Sequence, residues 1–214
     1  MMMKRRDFSR ACGAALAGAS LPALAQMRFE AGKDYLPLDK PAPVEAPAGK
    51  IEVVEFFWYN CPHCNAFEPA LEAWIKRAPK DVAIRRIPVA FSSAYQGQQQ
   101  LYYTLEAMGL VDKLHAKVFQ AIHVERKRLE KADVIADWIA TQGVDKAKFM
   151  EQFSSFSVAS RVTRAGQLTA AYKVEGVPAL GVAGRFYTDA TLTRNMDRSL
   201  QVVDYLVSEV RKGR

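Results

Sequence analysis

Hydrophobic residues form an almost unbroken run near residue 50, and the pattern that follows it has helical spacing. The run Ile51–Tyr59 is β-branched and aromatic, which is typical of a buried central strand. The apolar residues that follow recur at spacings of three and four, which predicts one buried face of a helix. These residues are Phe67, Leu71, Trp74 and Ile75. A strand is therefore expected to run into a helix near residue 60.

The rest of the pattern predicts a sheet interrupted by helices. Val82–Phe91 is a second strand candidate, and strand, helix, strand is the opening of a parallel βαβ unit. Helical spacing then dominates, and three glycines are the expected helix breaks. These are Gly109, Gly143 and Gly166. The predicted fold class is α/β, with a helical insertion at about residues 93–170.

The two ends of the expected domain are also visible in the pattern. Four prolines in residues 26–50 predict an extended arm before the first strand. After the insertion, Ala179–Val182 and Arg185–Thr188 read as two short strands joined across Ala183-Gly184, and a helix is expected from about Asp197. One domain over residues 26–214 follows.

Residues 1–25 have the organisation of an export signal peptide. A basic start precedes the apolar stretch Ala11–Leu24, which is too short to span a bilayer, and Ala23-Leu24-Ala25 is a small-residue cleavage site. Arg5-Arg6-Asp7-Phe8 resembles the twin-arginine motif, but its flanking residues Lys4 and Ser9 depart from that motif, so the export route stays open. Removing the signal leaves 189 of the 214 residues and lowers the net charge from +7 to about +4, since it carries four basic residues and one acid. So mild a charge does not favour nucleic-acid binding.

Cys61-Pro62-His63-Cys64 lies where the first strand runs into its helix. Because Cys12 would leave with the signal, this pair holds the only cysteines of the mature chain. Unpaired N–H groups and the positive end of the helix dipole favour an anion there, which predicts a stabilised Cys61 thiolate. Pro62 suits the first turn, where its missing N–H is not needed.

The cysteine pair could be half of a zinc site, a structural disulfide or a redox centre. Zinc needs further ligands, and besides His63 only His115 and His123 are available, eight residues apart in the helical region. A disulfide closing so small a loop would stabilise the fold by only about 2 kcal/mol. A C-x-x-C pair between strand and helix of a βαβ unit favours the redox interpretation, without a metal.

Val54–Cys64, the helical insertion and Gly176-Val177-Pro178-Ala179 together resemble the DsbA family of bacterial periplasmic thiol:disulfide oxidoreductases. The resemblance covers essentially the whole mature chain. It implies a thioredoxin-like fold and a periplasmic location. It also implies that Cys61 is an exposed nucleophile, Cys64 a buried resolving thiol, and Pro178 a cis-proline facing the pair.

His63 and Val177 are further candidate site residues. His63 can offer a ring N–H or, when protonated, a positive charge to the Cys61 thiolate. Val177 should offer its backbone to an extended substrate peptide, which would pair as an added strand. The alternative for Val177 is a simple turn before a strand.

Glu55 lies six residues before Cys61 inside an otherwise apolar strand, an expensive place for a carboxylate. Its position matches the buried acid of the family. One hypothesis makes it a proton acceptor or pKa tuner for Cys64. The other makes it a structural partner of Arg85 or Arg86, and Arg86 stands where the family often has a lysine.

The predicted function is a periplasmic oxidase that donates the Cys61–Cys64 disulfide to newly exported proteins. It would need no cofactor, act as a monomer, and be reoxidised by a membrane partner resembling DsbB with its quinone. One alternative is a disulfide isomerase or reductase, weakened because no N-terminal dimerisation domain is expected. The other is a non-catalytic thioredoxin-fold binding protein or chaperone, weakened because an idle pair would not need His63 beside a helix end.

Overall fold

The computed structural model describes residues 29–213, so the predicted export signal and Cys12 lie outside the described residues. A five-stranded sheet is at the centre, in the order β1-β5-β4-β2-β3. Its strands are β1 (Leu36–Pro37), β2 (Ile51–Phe57), β3 (Val82–Pro88), β4 (Ala179–Val182) and β5 (Phe186–Asp189). Strand β2 is parallel to β3 and antiparallel to β4. The strand that leads to the cysteines is therefore flanked by a strand on each side.

Eight helices surround the sheet within the described residues. They are α1 (Pro62–Arg77), α2 (Gln96–Ala107), α3 (Val111–His123), α4 (Ala132–Thr141), α5 (Lys146–Phe153), α6 (Phe156–Ala171), α7 (Ala190–Thr193) and α8 (Met196–Arg211). Five of them, α2 to α6, lie between β3 and β4 in the chain. Between residues 29 and 213, no helix is long and apolar enough to cross a membrane.

Two apolar clusters cover the two sides of the sheet. The first packs the aromatic end of β2, Phe56 and Phe57, against the helices between β3 and β4. The second packs β2 and β4 against α1 and α8, and it contains the predicted helix face Phe67, Leu71 and Trp74. Because β2 is buried along almost its whole length and α1 along one face, both elements are packed in fixed positions, with the cysteines at their junction.

Several sequence predictions hold and others need correction. The parallel β2-α1-β3 unit is present, and the C-terminal helix begins one residue before the predicted Asp197. Gly109 and Gly143 follow helices with φ of +67° and +77°, but Gly166 lies inside α6, which continues through it. Helical hydrogen bonds on both sides of Gly166 outweigh its weak helix propensity.

The strand ends and the arm also differ from the prediction. Strand β3 ends at Pro88 and not at the predicted Phe91. After Pro88 the chain leaves the sheet, and Phe91 is half exposed. The arm before β2 is only partly extended. A turn brings Gly32 N–H to the carbonyl of Tyr35, and β1 pairs antiparallel with β5.

Candidate active site

Cys61 is the N-cap residue of α1. Its backbone is extended, with φ −77° and ψ 117°, and its Sγ accepts the backbone N–H of Cys64 at 3.4 Å. Pro62 is the first helical residue, as expected from its missing N–H. The sulfur of Cys61 therefore takes the place that a Ser or Asp oxygen takes in an ordinary helix cap.

The pKa values of the two cysteines are shifted in opposite directions. The hydrogen bond with the Cys64 side chain, helped by the backbone N–H groups of Cys64 and His63 and by the His63 charge, lowers the pKa of Cys61 to about 6 against the opposing effect of burial. Burial, and then the contact with Cys61, raises the pKa of Cys64 far above its usual range. At neutral pH the reduced pair therefore carries a thiolate on Cys61 and a thiol on Cys64.

Cys61 is less exposed than the family resemblance implies. Only 6% of it is accessible, against 0% of Cys64, and both cysteines are reduced. The cover comes from the loop before β4, where the Val177 carbonyl oxygen lies 3.3 Å from Cys61 Sγ. The Val177–Pro178 peptide bond is cis, as the resemblance implies. The exposed residues of the motif are Pro62 and His63.

A groove of about 540 Å³ opens beside the cysteine pair. Its lining includes His63 and Phe67 of α1, Val177 and Pro178 of the loop before β4, and Met196 of α8. Four of the sequence-predicted residues, Cys61, His63, Val177 and Pro178, are thus brought together at one surface. Because the Val177 carbonyl oxygen lies 3.3 Å from Cys61 Sγ, a polypeptide bound in this groove would lie beside that sulfur.

Glu55 is fully buried in β2 and lies directly opposite Arg86 in the parallel register. The Arg86 Nη1 atom is 3.3 Å from Glu55 Oε2, so the arginine partner of Glu55 is Arg86. Arg85 faces away and pairs with Glu45 and Glu52. Burial raises the pKa of Glu55 to about 8, although the charge of Arg86 opposes this.

Three polar side chains from α2 and α3 hold the loop between β2 and α1, and the sequence reasoning missed this role. Gln98 donates from Nε2 to Asn60 Oδ1 at 2.7 Å. His115 Nδ1 lies 2.8 Å from the Tyr59 hydroxyl, and His123 Nε2 lies 2.8 Å from the Tyr59 carbonyl oxygen. From the sequence, both histidines were considered only as zinc ligands. The signal that could have indicated a structural role was a polar residue on an apolar helix face. Within residues 29–213, no group of three or more His, Cys, Asp or Glu side chains could hold a metal ion.

A cysteine pair capping a helix, opposite a cis-proline loop on this α/β sheet, defines a dithiol oxidoreductase of the thioredoxin fold. Residues 87–201, more than half of the chain, match the family model of the DSBA-like thioredoxin domain. The chain belongs to the DsbA family. It is a thiol:disulfide oxidoreductase of the DsbA type, and the predicted α/β, thioredoxin-like fold class is confirmed.

Individual relatives support the assignment along the whole chain. Thiol:disulfide interchange protein DsbA of Bordetella pertussis is 44% identical over 211 residues, which cover 98% of this chain and all of that protein. The crystal structure of Pseudomonas aeruginosa DsbA is similar with a TM-score of 0.82 at 41% identity, covering 86% of this chain and 96% of that one. DsbA from Xylella fastidiosa is similar with a TM-score of 0.80 at 31% identity, covering 86% and 98%.

Proposed function

We propose that the Cys61–Cys64 disulfide oxidises newly exported proteins during their folding. A substrate thiolate attacks Cys61 Sγ, the disulfide breaks, and its electron pair stays on Cys64 Sγ. A second substrate thiolate then attacks the substrate sulfur of the mixed disulfide and displaces Cys61 as a thiolate. The substrate gains a disulfide, and the cysteine pair is left reduced.

The observation that carries this direction of transfer is the helix-cap position of Cys61. A sulfur that is stable as a thiolate is a good leaving group, so the second step is fast and favours the oxidised substrate. The pKa of about 6 for Cys61 supports this, because most of the released thiolate stays deprotonated at neutral pH. His63 contributes its backbone N–H and its charge to the same thiolate.

Glu55 supplies the proton that Cys64 needs in this scheme. The sulfur of Cys64 has no accessible surface, so a proton from solvent has no direct route to it. The pKa of Glu55, about 8, keeps its carboxyl group protonated at neutral pH. Once it is ionised, its negative charge raises the pKa of Cys64 and so favours the protonated thiol. Val177 and Pro178 bind the substrate, with the backbone of Val177 pairing with an extended peptide.

The chain acts in the periplasm as a monomer and is reoxidised there by a DsbB-like, quinone-linked membrane protein. Support for export comes from the basic start, short apolar stretch and small-residue cleavage site of residues 1–25. Support for reoxidation comes from the chemistry, because each turnover leaves the pair reduced and an oxidant must restore it. An isomerase would instead have to be kept reduced, and the relatives do not favour that alternative.

Trapping of mixed disulfides tests the proposal. Cys64→Ser is first treated with glutathione disulfide, so that Cys61 carries glutathione in a mixed disulfide. The thiolate of a reduced, unfolded test protein with one cysteine should then attack Cys61 Sγ, release glutathione and accumulate as a reducible adduct, seen by electrophoresis and mass spectrometry. Cys61→Ser should give no adduct and no oxidation. Oxidation at the native rate by Cys61→Ser would refute the assignment of Cys61 as the attacked sulfur.

A further inference from the structure

Arg86 lies at the centre of a buried cluster of polar and charged groups from four elements. It extends from β3 towards α1 and α3, and it is only 8% exposed. Its Nη1 atom is 2.6 Å from Glu68 Oε1 and 2.5 Å from His115 Nε2, and its Nη2 atom is 2.6 Å from Glu72 Oε1. Glu55 is the fourth neighbour, at 3.3 Å from Nη1.

The hydrogens of Arg86 Nη1 are fully used without Glu55. The atom carries two hydrogens, and Glu68 and His115 are its two nearest acceptors. Since arginine only donates, His115 Nε2 accepts, so Nδ1 carries the ring hydrogen and donates it to the Tyr59 hydroxyl. Both carboxyl oxygens of Glu55 have no hydrogen-bond partner. Arg86 therefore gives Glu55 its charge without giving it a hydrogen bond.

This arrangement decides which form of Glu55 is stable. A buried carboxylate without a donor is far more costly than the uncharged carboxylic acid. Further negative charge lies nearby on α1, since Glu68 and Glu72 both raise the pKa of Glu55. The polar groups around Glu55 come from every side. They are Arg86 of β3, Cys64, Glu68 and Glu72 of α1, Tyr102 of α2, His115 of α3, and Tyr59 of the loop after β2.

We propose that Glu72 and His115 are positioning residues that take up the hydrogen bonds of Arg86 and so keep Glu55 protonated. The use of that proton rests on the proposed function. When a substrate thiolate opens the disulfide, the electron pair of the S–S bond stays on Cys64 Sγ. The Glu55 O–H proton moves to that sulfur, and Glu55 becomes a carboxylate. The step consumes the substrate thiolate and the disulfide, and Glu55 recovers its proton from the Cys64 thiol when the pair is reoxidised.

Two variants weaken the competition for Arg86 in different ways, one by removing a charge and the other by removing a hydrogen-bond acceptor. Glu72→Gln keeps the size and the acceptor oxygen but removes the charge, and the half-exposed position of Glu72 leaves the core intact. His115→Phe removes the acceptor at Nη1 and frees one hydrogen for Glu55. A phenyl ring suits the site, because the His115 ring already lies among Phe57, Tyr102 and Phe119.

The measurement is the titration midpoint of the Glu55 carboxyl carbon by carbon-13 NMR in the oxidised protein, where neither cysteine titrates. The signal is assigned with Glu55→Gln. Each variant should lower the midpoint by at least about half a pH unit, because it strengthens the hold of Arg86 on the carboxylate. Glu151→Gln on the exposed face of α5 removes an equal charge and should leave the midpoint unchanged. A native midpoint in either variant overturns the role of that residue.

A second measurement separates this inference from the proposed role of Glu55. The rate of mixed-disulfide formation with a small thiol is followed against pH and divided by the thiolate fraction of that thiol. If Glu55 gives its proton to Cys64, the alkaline decline in this rate should move to lower pH together with the NMR midpoint. A lowered midpoint with an unmoved rate profile would support the positioning effect and refute Glu55 as the proton donor.

Discussion

The Sγ atom of Cys61 lies 3.3 Å from the carbonyl oxygen of Val177, on the opposite side of the active-site groove. In the thiol form the S–H group can donate to this oxygen, but a thiolate can only repel it. The thiolate must therefore rely on the Cys64 thiol and on the N–H groups at the start of α1. The same loop, by its position, limits how a substrate reaches the sulfur.

A substrate peptide should depend on its own backbone groups for binding beside Val177. If the peptide pairs as an added strand, N-methylation of the amide that faces Val177 removes a hydrogen bond and adds a steric clash. We expect the rate of mixed-disulfide formation to fall roughly tenfold, the equivalent of about 1.4 kcal/mol. The rate is measured by stopped-flow mixing of the oxidised protein with cysteine-containing peptides, one unmodified and one N-methylated at that amide.

The control peptide carries the N-methyl group on an amide two or more residues away from the paired segment. It should react at the rate of the unmodified peptide. Equal rates for all three peptides would rule out strand pairing at Val177 and favour the simple-turn interpretation of that residue.

His63 should act on Cys61 through its charge as well as its backbone. His63→Leu keeps the backbone N–H that reaches the sulfur but removes the ring charge, which is the smaller of its two contributions. We expect the pKa of Cys61 to rise by less than about one unit. The absorbance of the thiolate against pH measures it. His63→Lys restores a positive charge and should bring the pKa back towards the native value, whereas identical curves for all three proteins would remove the His63 ring from the mechanism.

The low pKa of Cys61 should also make the reduced fold more stable at high pH. The folded pKa of about 6 lies below the ordinary value, so the stabilisation is complete above the unfolded pKa and is lost as pH falls through 6. Relative to Cys61→Ser, the reduced protein should gain about 3 kcal/mol in unfolding free energy between pH 5 and pH 9. Urea unfolding of both proteins across that range measures the difference, and a difference that stays constant with pH would contradict a depressed pKa.

The position of the cysteine pair could be predicted because local rules determine it. The β-branched run of β2, the apolar spacing of α1 and the proline after Cys61 all point to a strand-to-helix junction with Cys61 at the cap. Each of these rules involves residues close together in the chain. The stated bounds of β4 were right for a similar reason, since a short apolar run lies between Pro178 and the turn at Ala183-Gly184.

The polar network behind the cysteines could not be predicted from the sequence. Whether Arg85 or Arg86 faces Glu55 depends on the register between β2 and β3, which only tertiary packing determines. His115 reaches Tyr59 and Arg86 because α3 packs against α1, and no local pattern specifies that contact. The accessibility of Cys61 depends in the same way on a loop more than one hundred residues further along the chain.

Gly181 and Gly166 should respond in opposite ways to substitution by alanine. A Cβ atom on Gly181, in β4, would lie 2.3 Å from Cε1 of Tyr172, a side chain that is itself almost fully buried against Phe56. Because the ring must shift out of its packed position to relieve this contact, Gly181→Ala should lower the free energy of unfolding by about 1–3 kcal/mol. Gly166 lies inside α6 with open space around it, so Gly166→Ala should raise that free energy by about 0.5–1 kcal/mol through better helix propensity. Urea unfolding of the two variants measures both changes, provided that the dependence of the unfolding free energy on urea concentration is the same as in the native protein. A Gly181→Ala protein as stable as the native one would show that Tyr172 can repack, and the tight contact between β4 and the end of α6 would then not be needed to hold the sheet.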